Sequence, residues 1–205
     1  MERVKSGVKG FDDLIGGGYP KGFAILVSGS PGCGKTIFGL HFLFDGMKKG
    51  EKCAYVTYSQ SRKDLLDQAI QFGWDMKGVD FVEVKPEDFM EVVINKKYDR
   101  MVIDSLSSVA VMTRDSLGNF MAKLKGMGCT ALLISELPKE SNWLSRDTIS
   151  EFMCDGVVIL KSVEAAGEVK NLLKVEKMRS TKIDKESHIY NITESGFELK
   201  VYKAR

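Results

Sequence analysis

Short apolar runs alternate with amphipathic stretches along most of the chain, and this alternation carries most of the information about fold. FAILVS (23–28) is continuously apolar, as in a strand covered on both faces. TIFGLHFLFDGMKKG (36–50) follows with helical spacing, and Ile37, Leu40, Leu43, Phe44 and Met47 form its expected buried stripe. Lys48 and Lys49 suit its last turn, and Gly50 suits its stop. CAYVT (53–57) is the next strand, and SRKDLLDQAIQFG (61–73) the next helix, with Ser61 as N-cap and Asp64 completing a capping-box variant. VDFVEV (79–84), RMVID (100–104) and TALLIS (130–135) read as strands. Helices are expected over PEDFMEVVINKK, opened by Pro86, and over about 115–127.

Strands alternating with helices imply a mostly parallel sheet flanked by helices. The last third changes character. GVVILK (156–161), EVKNLLKVEKM (168–178), HIYNIT (188–193) and FELKVY (197–202) follow one another through short turns. They predict a partly antiparallel β-rich extension at one sheet edge, over 156–205. No linker, repeat or low-complexity tract divides the chain, so residues 1–205 read as one α/β domain.

Chemistry enters at GSPGCGKT, Gly29 to Thr36, which matches GxxxxGK[ST] in full between a strand and a helix. Gly29, Ser30, Pro31, Gly32, Cys33 and Gly34 can wrap backbone N–H groups around phosphate oxygens. The helix N-terminus adds its dipole. Lys35 can bridge β- and γ-phosphates, and the Thr36 hydroxyl can ligate Mg²⁺. Asp104 ends an apolar strand, where side chains of parallel sheets enter the ligand crevice, and is read as a second Mg²⁺ group acting through water.

At the end of strand 53–57, where a water-activating carboxylate would be well placed, the chain has Tyr58, Ser59, Gln60 and Ser61. Serine cannot take a proton at neutral pH as a carboxylate can. Gln60 can orient water, and Glu136, at the end of strand 130–135, is a second candidate for that crevice.

The segment SGVKGFDDLIGGGYPKG (6–22) resembles the opening of KaiC-like proteins of the RecA/RadA superfamily. The resemblance continues through YVTYSQS (55–61), VIDSLS (102–107), LLISE (132–136), CDGVVIL (154–160) and KMRSTK (177–182). It is to a single KaiC-like domain, as in RadA paralogues, and it implies a RecA-like P-loop core with ATP as the nucleotide. Paired glutamates of hydrolysing members correspond to Ser59 and Gln60, which implies slow or absent turnover. Lys177 and Arg179 are two apart in a strand and so share a face. In the family the matching pair reaches the γ-phosphate held by a neighbouring subunit, which implies a homo-oligomer with nucleotide at the subunit interface.

Bulk properties narrow the partners. With 30 Lys and Arg against 28 Asp and Glu, the net charge is +2, which argues against a wholesale nucleic-acid surface. The loop KESNWLSRDT (139–148), with Trp143 between Lys139 and Arg146, is compatible with stacking on single-stranded DNA and equally with a subunit-interface loop. Four scattered cysteines without CxxC argue against a disulfide framework or zinc site. No apolar run approaches the ~20 residues that span a bilayer, and MERVKSGVKG lacks an apolar signal region. The expected location is therefore cytoplasmic. The leading expectation is an ATP-binding regulator whose Mg-ATP state controls self-assembly or partner binding. Its rival is an active DNA-dependent ATPase acting like a recombinase paralogue. A phosphotransferase has only the phosphate loop in its favour.

Overall fold

In the computed structural model, residues 1–85, 88, 96–106, 114–138, 143–165 and 167–200 are described. The helix expected over 86–97 lies largely outside them, as does Lys139. In chain order the elements are β1 (Arg3–Val4), α1 (Phe11–Leu14), β2 (Tyr19–Pro20), β3 (Ala24–Gly29), α2 (Lys35–Lys48) and β4 (Cys53–Thr57). Next come α3 (Arg62–Ile70), β5 (Val79–Glu83), β6 (Arg100–Asp104), α4 (Arg114–Gly126) and β7 (Thr130–Glu136). The chain continues with α5 (Ser150–Met153), β8 (Gly156–Ala165), β9 (Glu168–Met178), β10 (Ser187–Thr193) and β11 (Gly196–Lys200).

Six strands run parallel in the order β8-β3-β7-β6-β4-β5, all but the edge strand β5 carrying continuous apolar runs. Beyond β8 the sheet turns antiparallel through β9, β10 and β11, as the change of pattern after residue 156 predicts. The continuous apolar runs are explained by cover on both faces. Along β3, Ile25 and Val27 enter one core while Ala24 and Leu26 enter the other. The first core holds α2, α3 and the N-terminal segment, and the second holds Leu117, Phe120, Met121 and Leu124 of α4. Burying a Leu or Phe side chain contributes roughly 1.5–3 kcal/mol. Among the described residues no helix is long and apolar enough to cross a membrane.

The helix α2 is buried over more of its surface than its stripe predicts. Phe38, Leu40, Phe42 and Leu43 are fully buried, whereas Ile37, Phe44 and Met47 are only partly so. The reason is a second neighbour. One side of α2 meets the sheet, where Gly39 lets it approach Val102 and Ile134 closely. Another side carries Phe38 against Phe11 and Phe197, and Phe42 against Tyr19. At its end Gly50 has φ +77°, and the amides of Gly50 and Glu51 close onto Met47 and Gly46. The capping box of α3 forms as expected, with Asp64 N donating to Ser61 Oγ and Ser61 N to the Asp64 carboxylate.

Candidate functional site: the phosphate loop and its two sheet edges

β3 brings Gly29 to the carboxyl edge of the parallel sheet, level with Leu160 of β8 and Glu136 of β7. A Cβ on Gly29 would stand 2.4 Å from the Leu160 carbonyl oxygen, so only glycine lets the chain leave the strand here. Gly32 and Gly34 then take φ of +79° and +87°, the left-handed region that turns successive amides to one side. The α2 N-terminus that follows has no side-chain cap and no acidic residue in its first turn. Its amides and dipole are thus left for an anion.

Lys35 is only 7% exposed. Its Nζ donates to the carbonyls of Gly29 and Ser30, both at 2.9 Å. Among the described residues no carboxylate lies within ion-pair distance of it. A buried cation with no carboxylate in direct contact, balanced by two carbonyl dipoles and the more distant Asp104 charge, favours an anionic ligand. Cys33 fills the loop beneath it. Burial pushes its thiol pKa up, which makes it a packing residue rather than a reactive one.

Asp104 sits across from Thr36 at the end of β6. Its Oδ2 accepts from Thr36 Oγ1 at 3.1 Å and from Tyr55 Oη at 2.6 Å. Burial raises the Asp104 pKa, and these two donors oppose the rise. The same burial, then the Asp104 charge, raises Tyr55. A threonine hydroxyl beside a carboxylate is a hard oxygen set suited to Mg²⁺. The donors therefore fit a nucleotide phosphate with Mg²⁺. Tyr55 was hidden in the sequence as one more apolar strand residue, and only its contact with Asp104 brings it to the site.

The turn after β4 is pinned to the same edge. Tyr58 N donates to the Asp104 carbonyl, and the Thr57 hydroxyl links the Gln60 amide and carbonyl. Ser59 is exposed, and Gln60 Oε1 is buried with no hydrogen-bond partner among the described residues. Glu83, across the neighbouring recess of about 300 Å³, is engaged by the Arg62 amide at 2.7 Å. Glu136 is exposed, and its charge reaches the loop side of the sheet, helping to raise the Asp104 pKa. Lys35, Thr36, Asp104, Gln60 and Glu136 thus share the carboxyl edge.

Lys177 and Arg179 do not join them. Met178 is level with Gly156, which is level with Ile25, so the pair lies at the opposite edge of the sheet. Four residues of β3, roughly 13 Å of strand, separate Ile25 from Gly29. Lys177 Nζ donates to the carbonyls of Glu151 and Cys154 at 2.8 and 2.7 Å. Arg179 donates to Asp155 and to the Phe152 carbonyl at 3.2 and 3.1 Å. Desolvation, then the neighbouring Arg179 charge, lowers the Lys177 pKa. The two cations project together beside the end of α5, where Phe152 is 71% exposed. Neither reaches its own phosphate loop.

Comparison with known proteins gives the family. The family model described as ATPase: KaiC matches residues 4–85 and 79–204. UPF0273 protein PH0284 of Pyrococcus horikoshii is 31% identical over 232 residues, covering 95% of this chain and 92% of that protein. The circadian clock oscillator protein KaiC of Synechococcus elongatus is 32% identical across 97% of this chain, which spans only 44% of that relative. The crystal structure of the KaiC-like protein PH0186 of P. horikoshii superposes with a TM-score of 0.90 at 32% identity, covering 98% and 99% of the two chains. With its phosphate loop, mixed sheet and near full-length match to the family, this chain belongs to the KaiC ATPase family.

Proposed function

We propose that the protein binds Mg-ATP and that its nucleotide state controls self-assembly or the binding of a partner, with hydrolysis slow or absent. One observation carries this reading: an open anion cradle stands beside a turn whose exposed residue is Ser59 and whose next is Gln60. The loop Gly29–Thr36 holds the phosphates, with Lys35 and the α2 N-terminus neutralising them. Thr36 and Asp104 hold the Mg²⁺, which neutralises phosphate charge when bound. Gln60 or Glu136 would orient water. Gln60 lacks the proton-accepting group that a carboxylate in its place would supply, a difference of roughly 10²–10⁴ in rate, and Glu136 acts from the end of β7 rather than from this turn.

The opposite-edge position of Lys177 and Arg179 supports a contact in trans. A second copy stacked head to tail would bring that edge against the first copy's phosphate loop. Light scattering after size exclusion tests this. ATP should raise the mass of wild type and leave Lys177→Ala/Arg179→Ala unchanged. Identical wild-type mass with and without saturating ATP refutes the switch.

A second reading, a DNA-dependent ATPase, draws on Trp143, which is 55% exposed beyond β7 near Arg146. It requires single-strand binding that weakens as salt rises. No binding at low salt eliminates it.

A further inference from the structure

The phosphate loop receives a contact from the far end of the chain. Tyr190 of β10 is fully buried, and its hydroxyl donates to the Cys33 carbonyl at 2.5 Å, across 157 positions of sequence. The ring is held firmly. It stacks on Phe197 of β11 at 4.2 Å, and Phe197 meets Phe38 of α2 edge-on at 5.1 Å. Ile192, on the same β10–β11 hairpin, covers Gly34: a Cβ there would stand 2.8 Å from Ile192 Cδ1.

A carbonyl inside a phosphate-binding loop is a liability, because its oxygen repels the anion. In a planar trans peptide the C=O of one residue and the N–H of the next point in opposite directions. Fixing the Cys33 oxygen toward Tyr190 therefore directs the Gly34 N–H away from the aromatic core, to the open side of the loop. Gly34, at φ +87° and without a Cβ, is free to swing unless something holds that peptide. Tyr190 supplies the hold.

We propose that Tyr190 is a positioning residue of the phosphate loop: its hydroxyl keeps the Cys33 carbonyl out of the cradle and aims the Gly34 N–H into it. The β10–β11 hairpin is then part of the anion site. This rests on the reading of Gly29–Thr36 as a nucleotide loop.

Tyr190→Phe removes one oxygen and keeps the stack. Two measurements on the whole chain decide the matter. In calorimetric titration, ATP should bind the variant roughly tenfold more weakly, the effect of one lost buried hydrogen bond. In the nucleotide-free protein, hydrogen exchange at amides 32–36 should quicken while that of β3 and β7 holds. A variant that loses thermal stability but keeps wild-type ATP affinity and loop exchange overturns the proposal and leaves Tyr190 a core residue. Should wild type itself fail to bind ATP, the nucleotide reading falls, and loop exchange alone decides whether Tyr190 orders the loop.

Discussion

His41 offers a clean test of the packing around α2. Its ring lies 4.5 Å from that of Trp74, and Nδ1 is buried without a hydrogen-bond partner among the described residues. Burial lowers its pKa from 6.5 to about 4, against the opposing pull of Asp45 on α2 and Glu198 on β11. The folded protein therefore holds the ring neutral where the unfolded chain would protonate it. A lowered histidine pKa gives stability that is full above 6.5 and is lost as pH falls toward 4. The complete change amounts to at most about 3 kcal/mol, and by pH 5 about 2 kcal/mol of it is gone. Part of the ring meets solvent, which trims the expected loss at pH 5 to ~1–2 kcal/mol. Urea unfolding followed by far-UV circular dichroism at pH 7.5 and pH 5 measures it. His41→Phe keeps the aromatic contact with Trp74 and cannot titrate. Wild type should lose ~1–2 kcal/mol more than the variant between the two pH values. Equal losses would refute the buried neutral histidine and the packing that produces it.

Two further outcomes follow from named contacts. Ser59→Glu/Gln60→Glu should raise phosphate release by about 10²–10⁴-fold where the new carboxylates reach the attacking water, and Lys35→Ala in the same background should abolish it. An unchanged rate with ATP still bound would mean that the missing carboxylates do not limit turnover. Arg100 is buried between Asp45, at 3.0 Å, and Glu51, and donates to the carbonyls of Lys5 and Phe42 at 2.8 Å. Arg100→Met strands Glu51 and both carbonyls, while Asp45 keeps its pair with Lys49 at 2.6 Å. It should cost about 2–4 kcal/mol in urea unfolding, less than a fully enclosed pair because the carboxylates are partly exposed. A cost below about 0.5 kcal/mol, the range of ordinary surface changes, would show that solvent replaces those contacts.

Where chemistry is local, it was legible in the chain. Glycines at Gly29, Gly32 and Gly34 are required by a neighbouring carbonyl or by positive φ, and their spacing before Lys35 and Thr36 announces the loop. Continuous apolar runs announce strands covered on both faces, and the change after residue 156 announces the antiparallel edge. Ser61 and Asp64 announce the start of α3. In each case the cause lies within a few residues of its effect.

Other features depend on elements meeting. Tyr55 and Tyr190 look like ordinary strand residues until one touches Asp104 and the other Cys33. Lys177 and Arg179 share a face by strand periodicity. Only the register of β9 with β8, and of β8 with β3, puts them at the edge opposite the phosphate loop. The buried surface of α2 differs from its stripe because the N-terminal segment and β11 cover a side that no period along α2 encodes. Sequence determined the phosphate loop and the strands that carry it, since backbone freedom and side-chain period act between near neighbours. Tertiary structure decided which distant side chains aim that loop and which edge the paired cations face, since register and packing are settled between segments far apart in the chain.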